Sequence, residues 1–382
     1  MNLDLMTESR VREEATWLEL DKSALRHNLT QLIALTLPNA TIMAVVKANA
    51  YGHGLIPIAQ SLCEQVSHFG VASLEEALTL RRHEMDTPIL LFGVLFGEAI
   101  EAAIQADVSL AVSSVEQARE ISERARKLRK PAAIHIKVDT GMGRLGIPKA
   151  QAVRAIGEIA SLQMLHLEGL FTHFPQGEVE NDPFTKEQVH SFLDVIEKIS
   201  KKGIHVPYRH AANSLGIVNF KDAHLNLVRP GLTLYGIHPS ASIKPKLTLK
   251  PVLNWRARLI LVKKINAGES VGYGRTFVAH EPTVIGVLPV GYSHGYPFSL
   301  SGQGSVVLFQ GKRFPVVGRV SMDYLTVNFG PDFSGVKAGE VVTLLGRDGA
   351  EEVTAETLAE KADTIPYEIV TRISPAIPRI LL

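Results

Sequence analysis

The chain has 382 residues, enough for two domains or for one large barrel with an extension. Forty basic residues against 39 acidic ones leave a net charge of +1, which argues against a polyanion-binding surface and so against nucleic acid as a partner. No run approaches the length of a membrane span, and the single cysteine, Cys63, excludes an internal disulfide and a thiolate metal site; with no obvious metal cluster in the sequence, no metal is expected. Met1–Arg10 lacks a basic segment followed by an apolar one. The expectation is therefore no signal peptide and a soluble, cytoplasmic protein.

Thr16-Trp-Leu-Glu-Leu20 alternates like a strand, and it either stays with the region that follows or joins a later β domain. Eight short apolar runs come next: Thr41–Lys47, Phe69–Ser73, Ile89–Val94, Ser109–Ser113, Ile134–Asp139, Leu167–Phe174, Tyr208–Asn213 and Leu225–Gly231. Thr41–Val46 shows no alternation, as in a parallel sheet covered on both faces. Amphipathic stretches separate the runs. Among them are Leu74–Arg81, Val115–Arg124 and Phe184–Lys202, the last with Val189, Phe192, Leu193, Ile196 and Ile199 as its apolar positions. This alternation predicts an α/β fold, a (β/α)₈ TIM-type barrel over residues 16–245.

After about Lys250 helical periodicity largely disappears until Ala355–Ala362. Short β-rich runs replace it at Leu259–Ile265, Thr283–Val290, Ser305–Phe309, Tyr324–Phe329 and Val341–Leu345, with turn signals at Gln310-Gly-Lys and Arg347-Asp-Gly. They predict a C-terminal all-β domain over residues 246–382.

Barrel enzymes place their chemistry at the C-terminal ends of the strands. Lys47 ends the first run. Lys137, Asp139 and Arg144 follow the fifth, His173 lies near the end of the sixth, His210, Asn213 and Ser214 end the seventh, and Arg229 and Gly231 close the eighth. Desolvation at a strand mouth would make Lys47 a nucleophile for carbonyl carbons; the plain alternative is a lysine reaching for water. The loops after strands seven and eight are the usual phosphate site of such barrels. Ser214 offers a hydroxyl there, and the N–H groups of Gly231 and Leu232 can point at an anion. A lysine facing an anchored phosphate suggests pyridoxal phosphate. Arg144, framed by glycines, suits a carboxylate or is a surface arginine. His173 and His210 are equally readable as core histidines, and Arg229 as an ion-pair partner.

The segment Val45-Val-Lys-Ala-Asn-Ala-Tyr-Gly-His-Gly54 resembles the pyridoxal-phosphate segment of alanine racemases. The likeness extends over nearly the whole chain, through Lys137–Gly146, His210–Ser214, Arg229–Gly236, Val271–Arg275, Arg319–Asp323 and Pro366–Glu368. It implies interconversion of L- and D-alanine, supplying D-alanine for peptidoglycan, by a head-to-tail homodimer with shared active sites. Lys47 would carry the cofactor as a Schiff base and be one catalytic base. Tyr51, Ser214, Gly231, Leu232 and Tyr367 would hold its phosphate, with Asn213 beside them. Arg229 would face the pyridine nitrogen, His173 would lie against the ring, and Arg144 would meet the cofactor's phenolate oxygen and the substrate carboxylate. The partner subunit would supply Tyr273 as the second catalytic base, with Met322 and Asp323 in the substrate site. Tyr292 and Tyr367 would narrow the entrance. Lys137 matches a lysine that the family often carries as a carbamate, paired here with Arg144.

Two bases on opposite faces of the α-carbon are what racemisation needs. An arginine rather than a carboxylate at the pyridine nitrogen leaves that nitrogen unprotonated, which fits racemisation better than decarboxylation. The rival readings are a racemase for serine or a wider set of amino acids, a non-catalytic pyridoxal-phosphate carrier, and a barrel decarboxylase or aldolase. The chain departs from the family pattern at His294, Ser321 and Ala376, where aspartate, cysteine and arginine are common. None of the three is a proposed catalytic group.

Overall fold

The computed structural model describes residues 11, 13–331 and 335–382; Met1–Arg10, read above for a signal peptide, lie outside the described residues. Strand β1 (Thr16–Leu20) leads into helix α1 (Lys22–Leu35), whose N-terminus is capped by the Asp21 carboxylate accepting from Ala24 N–H. Eight parallel strands then alternate with helices. They are β2 (Thr41–Val45), β3 (His68–Val71), β4 (Ile89–Leu91), β5 (Val108–Val112), β6 (Ala132–Asp139), β7 (Leu165–Phe171), β8 (Tyr208–His210) and β9 (Leu227–Val228). Their order around the sheet is β9-β2-β3-β4-β5-β6-β7-β8. The ring is nearly closed between β8 and β9 by a parallel bridge of Asn213 to Arg229, with Arg229 N–H donating to Ala212 C=O at 2.9 Å.

The helices form where capping and apolar spacing coincide. Ser73 and Glu76 make a reciprocal capping box at the start of Leu74–Arg82, and Ser114 caps Val115–Leu128. Pro183–Ser200 starts from Asp182 with proline in its first turn. Its buried stripe runs through Val189, Phe192, Val195 and Ile199. Leu193, expected on that stripe, is exposed, because the buried face steps three residues from Phe192 to Val195 and leaves Leu193 to one side.

The C-terminal region is one large, mostly antiparallel sheet. Its strands are β10 (Leu253–Arg258), β11 (Leu261–Ile265), β12 (Thr283–Leu288), β13 (Val306–Phe309), β14 (Lys312–Val317), β15 (Leu325–Gly330), β16 (Val341–Asp348), β17 (Glu351–Val353) and β18 (Arg379–Leu381). The order is β11-β12-β15-β14-β13-β16-β10-β1-β18, with β17 on β16. Gln310 and Gly311, both left-handed, turn β13 into β14. Strand β1 lies in this sheet, antiparallel to β10 and parallel to β18, so the two ends of the chain pair with each other.

Candidate active site

Val45 ends β2, and Lys47 begins a turn that no apolar pattern announces. Ala48, Asn49, Ala50 and Tyr51 all have φ between 52° and 54°. Four consecutive left-handed residues cost roughly 1–2 kcal/mol each without glycine. Local bonds hold them: Asn49 Oδ1 accepts from Leu55 N–H at 2.8 Å, and Glu76 Oε1 accepts from Asn49 N–H at 3.2 Å. Gly52 closes the turn at φ 80°, against the C-terminal end of the helix α2 (Pro366–Thr371) that carries Tyr367; a methyl there would lie 1.9 Å from Val370 O. The coil thus aims both Lys47 and Tyr51 into one cavity.

That cavity, of about 190 Å³, opens at the C-terminal ends of the barrel strands. It is lined by Lys47, Tyr51, Lys137, Arg144, His173, Asn213, Ser214, Arg229, Gly231, Leu232 and Tyr367. Every barrel residue predicted to meet the cofactor is there, and so is Tyr367. Val45, Phe92, Leu145 and Phe171 complete the lining and were not anticipated. Phe171 could have been found from the strand period: it shares a face with His173, two residues on. Its ring has the Lys137 ammonium 6.0 Å and the Arg229 guanidinium 5.6 Å from its centre.

Among the described residues, four cationic side chains line the cavity and no carboxylate does. Burial, then Arg144 and Arg229, lowers the Lys47 pKa, with Glu76 opposing. Burial and the neighbouring Arg144, Arg229 and Lys47 bring Lys137 down to about 8, against a counter-pull from Asp139. His173 is held well below the usual imidazole range by burial and by the same cations. Arg229 is buried and brought down to about 9 by desolvation, so it remains a cation at neutral pH. Its Nη2 donates to Thr172 C=O at 2.7 Å and Ala211 C=O at 2.9 Å, and its Nη1 donates to His210 Nδ1 at 2.8 Å.

At the other end of the cavity, Ser214 Oγ accepts from Gly231 N–H at 2.9 Å and from the Thr233 hydroxyl at 3.0 Å. The Gly231 N–H, expected to point at an anion, is therefore engaged by Ser214. Leu232 opens a 3-10 turn, whose first N–H has no partner within the turn. Tyr51 reaches Gly231 so closely that a methyl there would stand 2.6 Å from its hydroxyl. Asp139 does not face the cavity. Its carboxylate accepts from the N–H groups of Gly141, Met142 and Gly143 and so shapes the loop that presents Arg144. Arg144 itself is exposed.

Tyr273, Met322, Asp323 and Tyr292 are not in this cavity. They lie on the β domain, where Tyr273 is 73%, Met322 55% and Tyr292 43% exposed. The Ser293 hydroxyl donates to Met322 C=O at 2.8 Å and Asp323 Oδ1 at 2.9 Å, tying the Tyr292 and Asp323 segments together. The Tyr273 turn abuts Arg319, four residues before Asp323. These residues form a second, outward-facing group.

A family model for the alanine racemase N-terminal domain matches residues 20–239, and one for the alanine racemase C-terminal domain matches residues 252–381. The chain belongs to the alanine racemase family. The alanine racemase of Halothermothrix orenii is 39% identical over 365 residues, covering 95% of this chain and 96% of that protein. Among solved structures, the alanine racemase of Clostridium difficile 630 superposes with a TM-score of 0.92 at 33% identity, over 97% of this chain and 96% of that one. A histidine racemase from Leuconostoc mesenteroides subsp. sake gives a TM-score of 0.87 at 29% identity, over 97% and 98% of the two chains. Fold and family thus agree with the reading from sequence, and the substrate is a question separate from the fold.

Proposed function

We propose that this protein is a pyridoxal-phosphate-dependent alanine racemase, with its barrel and β domain dividing near residues 245 and 246. The observation that carries the reading is the cavity itself: a half-buried lysine with a lowered pKa at one end, hydroxyls at the other, four cations and no carboxylate. That donor set fits an anionic aldehyde. Lys47 would hold the cofactor. Tyr51, Ser214, Leu232 and Tyr367 would surround its phosphate, with Asn213 and Gly231 beside them, while His173 lies against the ring and Arg229 meets the pyridine nitrogen. Bound there, the cofactor acidifies the α-hydrogen of an amino acid joined to it.

The residues of the chain do the rest. Arg144 fits the substrate carboxylate with a fork of donors. Lys47, its pKa lowered, accepts or returns a proton at the α-carbon on one face. A second base must stand on the opposite face. Tyr273 of a second copy fills that role in our reading, with Met322, Asp323 and Tyr292 at the same mouth. Carbamylation would turn one of those four cations, Lys137, into an anion that pairs with Arg144, since a lowered pKa exposes the neutral amine that carbon dioxide requires. We place the protein in the cytoplasm, in keeping with its single cysteine.

Borohydride treatment of the yellow protein should fix the cofactor to the peptide containing Lys47; a label on another lysine would end the assignment. Sharing between subunits is tested by mixing Lys47→Ala with Tyr273→Phe under subunit exchange. Half the dimers would be hybrids with one intact site of two, so activity should recover to about a quarter of wild type. No recovery despite demonstrated exchange would rule the shared site out.

A further inference from the structure

The interior of a (β/α)₈ barrel is ordinarily filled by layers of branched apolar side chains. Beneath the cavity this barrel holds a polar layer instead: His68 on β3, Ser109 on β5, His135 on β6, Glu168 on β7 and His210 on β8. His135 and His210 are fully buried. The layer connects to the cavity through Arg229.

The connection has one polarity. A guanidinium only donates, so the His210 Nδ1 that lies 2.8 Å from Arg229 Nη1 must accept. A neutral His210 then carries its hydrogen on Nε2, which stands 2.9 Å from His135 Nδ1. That nitrogen must accept in turn, which places the His135 hydrogen on Nε2. The His135 Nε2 is buried, makes no hydrogen bond shorter than 3.5 Å among the described residues, and faces the Glu168 carboxylate, 3.6 Å from Oε2. Ser109 donates to the same oxygen at 2.6 Å.

The fold makes room for this arrangement. Gly169 pairs in register with His135, and a methyl on it would lie 2.0 Å from His135 Nδ1. The register of β6 against β7 shifts between Ile134 and His135. Phe171 stacks on His210 with ring centres 4.9 Å apart, fixing the second imidazole. Burial, with Arg229 adding to it, holds both imidazoles below the usual range, and at His135 the Glu168 carboxylate pulls the other way.

We propose that Glu168 is a positioning residue: through His135 and His210 it terminates a one-way chain of hydrogens that holds the Arg229 guanidinium as a donor toward the catalytic cavity. Its carboxylate is the negative end of a line whose positive end is Arg229. The proposal deepens the cofactor reading, because what Arg229 presents to the cavity is what that reading uses.

The chain is read most directly by nitrogen NMR of the full-length protein labelled with ¹⁵N-histidine, as purified. Wild type should show His135 and His210 as neutral rings protonated on Nε2. Glu168→Gln removes the charge and keeps the shape. It should move the nitrogen resonances of His210 as well as those of His135, and Ser109→Ala should move them in the same direction by less. A wild-type ring that is cationic or protonated on Nδ1 would overturn the proposal, as would a Glu168→Gln effect confined to His135. In the cofactor-loaded protein the same variant should lose about tenfold in kcat on alanine with KM little changed. A merely structural loss would instead lower the active fraction without moving the His210 resonances. The NMR readout needs no cofactor at Arg229, so failure of the cofactor reading would leave it standing.

Discussion

Gly231 offers a sharp test of how the cavity grips an anion. A methyl added at this position would lie 2.6 Å from the Tyr51 hydroxyl and 3.1 Å from the ring carbon that bears it. Ordinary contact begins near 3.4 Å, so the phenol must retreat by about 0.8 Å. It has little room to do so, because Tyr51 is 7% exposed and flanked by Tyr235 and Tyr367 at ring separations of 5.2 and 6.1 Å. Overpacking of this kind costs about 1–3 kcal/mol. If that strain falls on the phosphate end of the site, Gly231→Ala should bind pyridoxal phosphate about 5–150-fold more weakly. Titration of the cofactor-free protein, followed by absorbance, measures this, with thermal unfolding as a control. Tyr51→Phe removes the closer of the two contacts. In that background Gly231→Ala should therefore cost less than it does alone. Unchanged affinity in Gly231→Ala, or an equal loss in both backgrounds, would refute the reasoning.

Arg144→Lys should keep the cofactor and lose about 10–150-fold in kcat/KM on alanine, the worth of a charged hydrogen bond; wild-type efficiency would make Arg144 structural only. Arg229→Glu, judged by keto-acid formation from alanine, should introduce transamination, because a carboxylate can share a proton with the pyridine nitrogen where a guanidinium cannot. The folded pKa of Lys137, about 8, lies below the ordinary 10.5, so between those values the unfolded chain binds the extra proton. In protein freed of carbon dioxide, so that Lys137 is the free amine, stability should rise with pH across that window relative to Lys137→Met, as denaturant midpoints would show; parallel curves would mean that the amine is not desolvated.

The barrel was legible because short, mostly apolar runs alternate with amphipathic stretches, and all eight strands lie where those runs fall. Strands of the second domain were harder. Leu253–Arg258 alternates buried residues with Asn254, Arg256 and Arg258, so its apolar content is thin. Lys312–Val317 contains Pro315, which ordinarily argues against a strand. Arg379–Leu381 is too short to show any period.

Much of the site could be read as reactive residues at strand ends, since a barrel rim gathers what the strands end on. The left-handed turn at Ala48–Tyr51 could not, because only its flanking glycines hint at unusual backbone and the four residues themselves favour other conformations. The layer of His135, His210 and Glu168 was hidden for a different reason. Single polar residues inside apolar runs look like isolated exceptions until the ring brings them together. Tyr273, Met322 and Asp323 came from family resemblance alone, for nothing in spacing or period connects them to Lys47.

Chiral chromatography of single amino acids incubated with the cofactor-loaded protein tests the central claim most directly. L-alanine should be converted until the two enantiomers are equal, and D-alanine should return to the same mixture. Alanine left unchanged while serine or histidine is racemised, or no racemisation of any amino acid by protein that demonstrably holds the cofactor, would contradict the account.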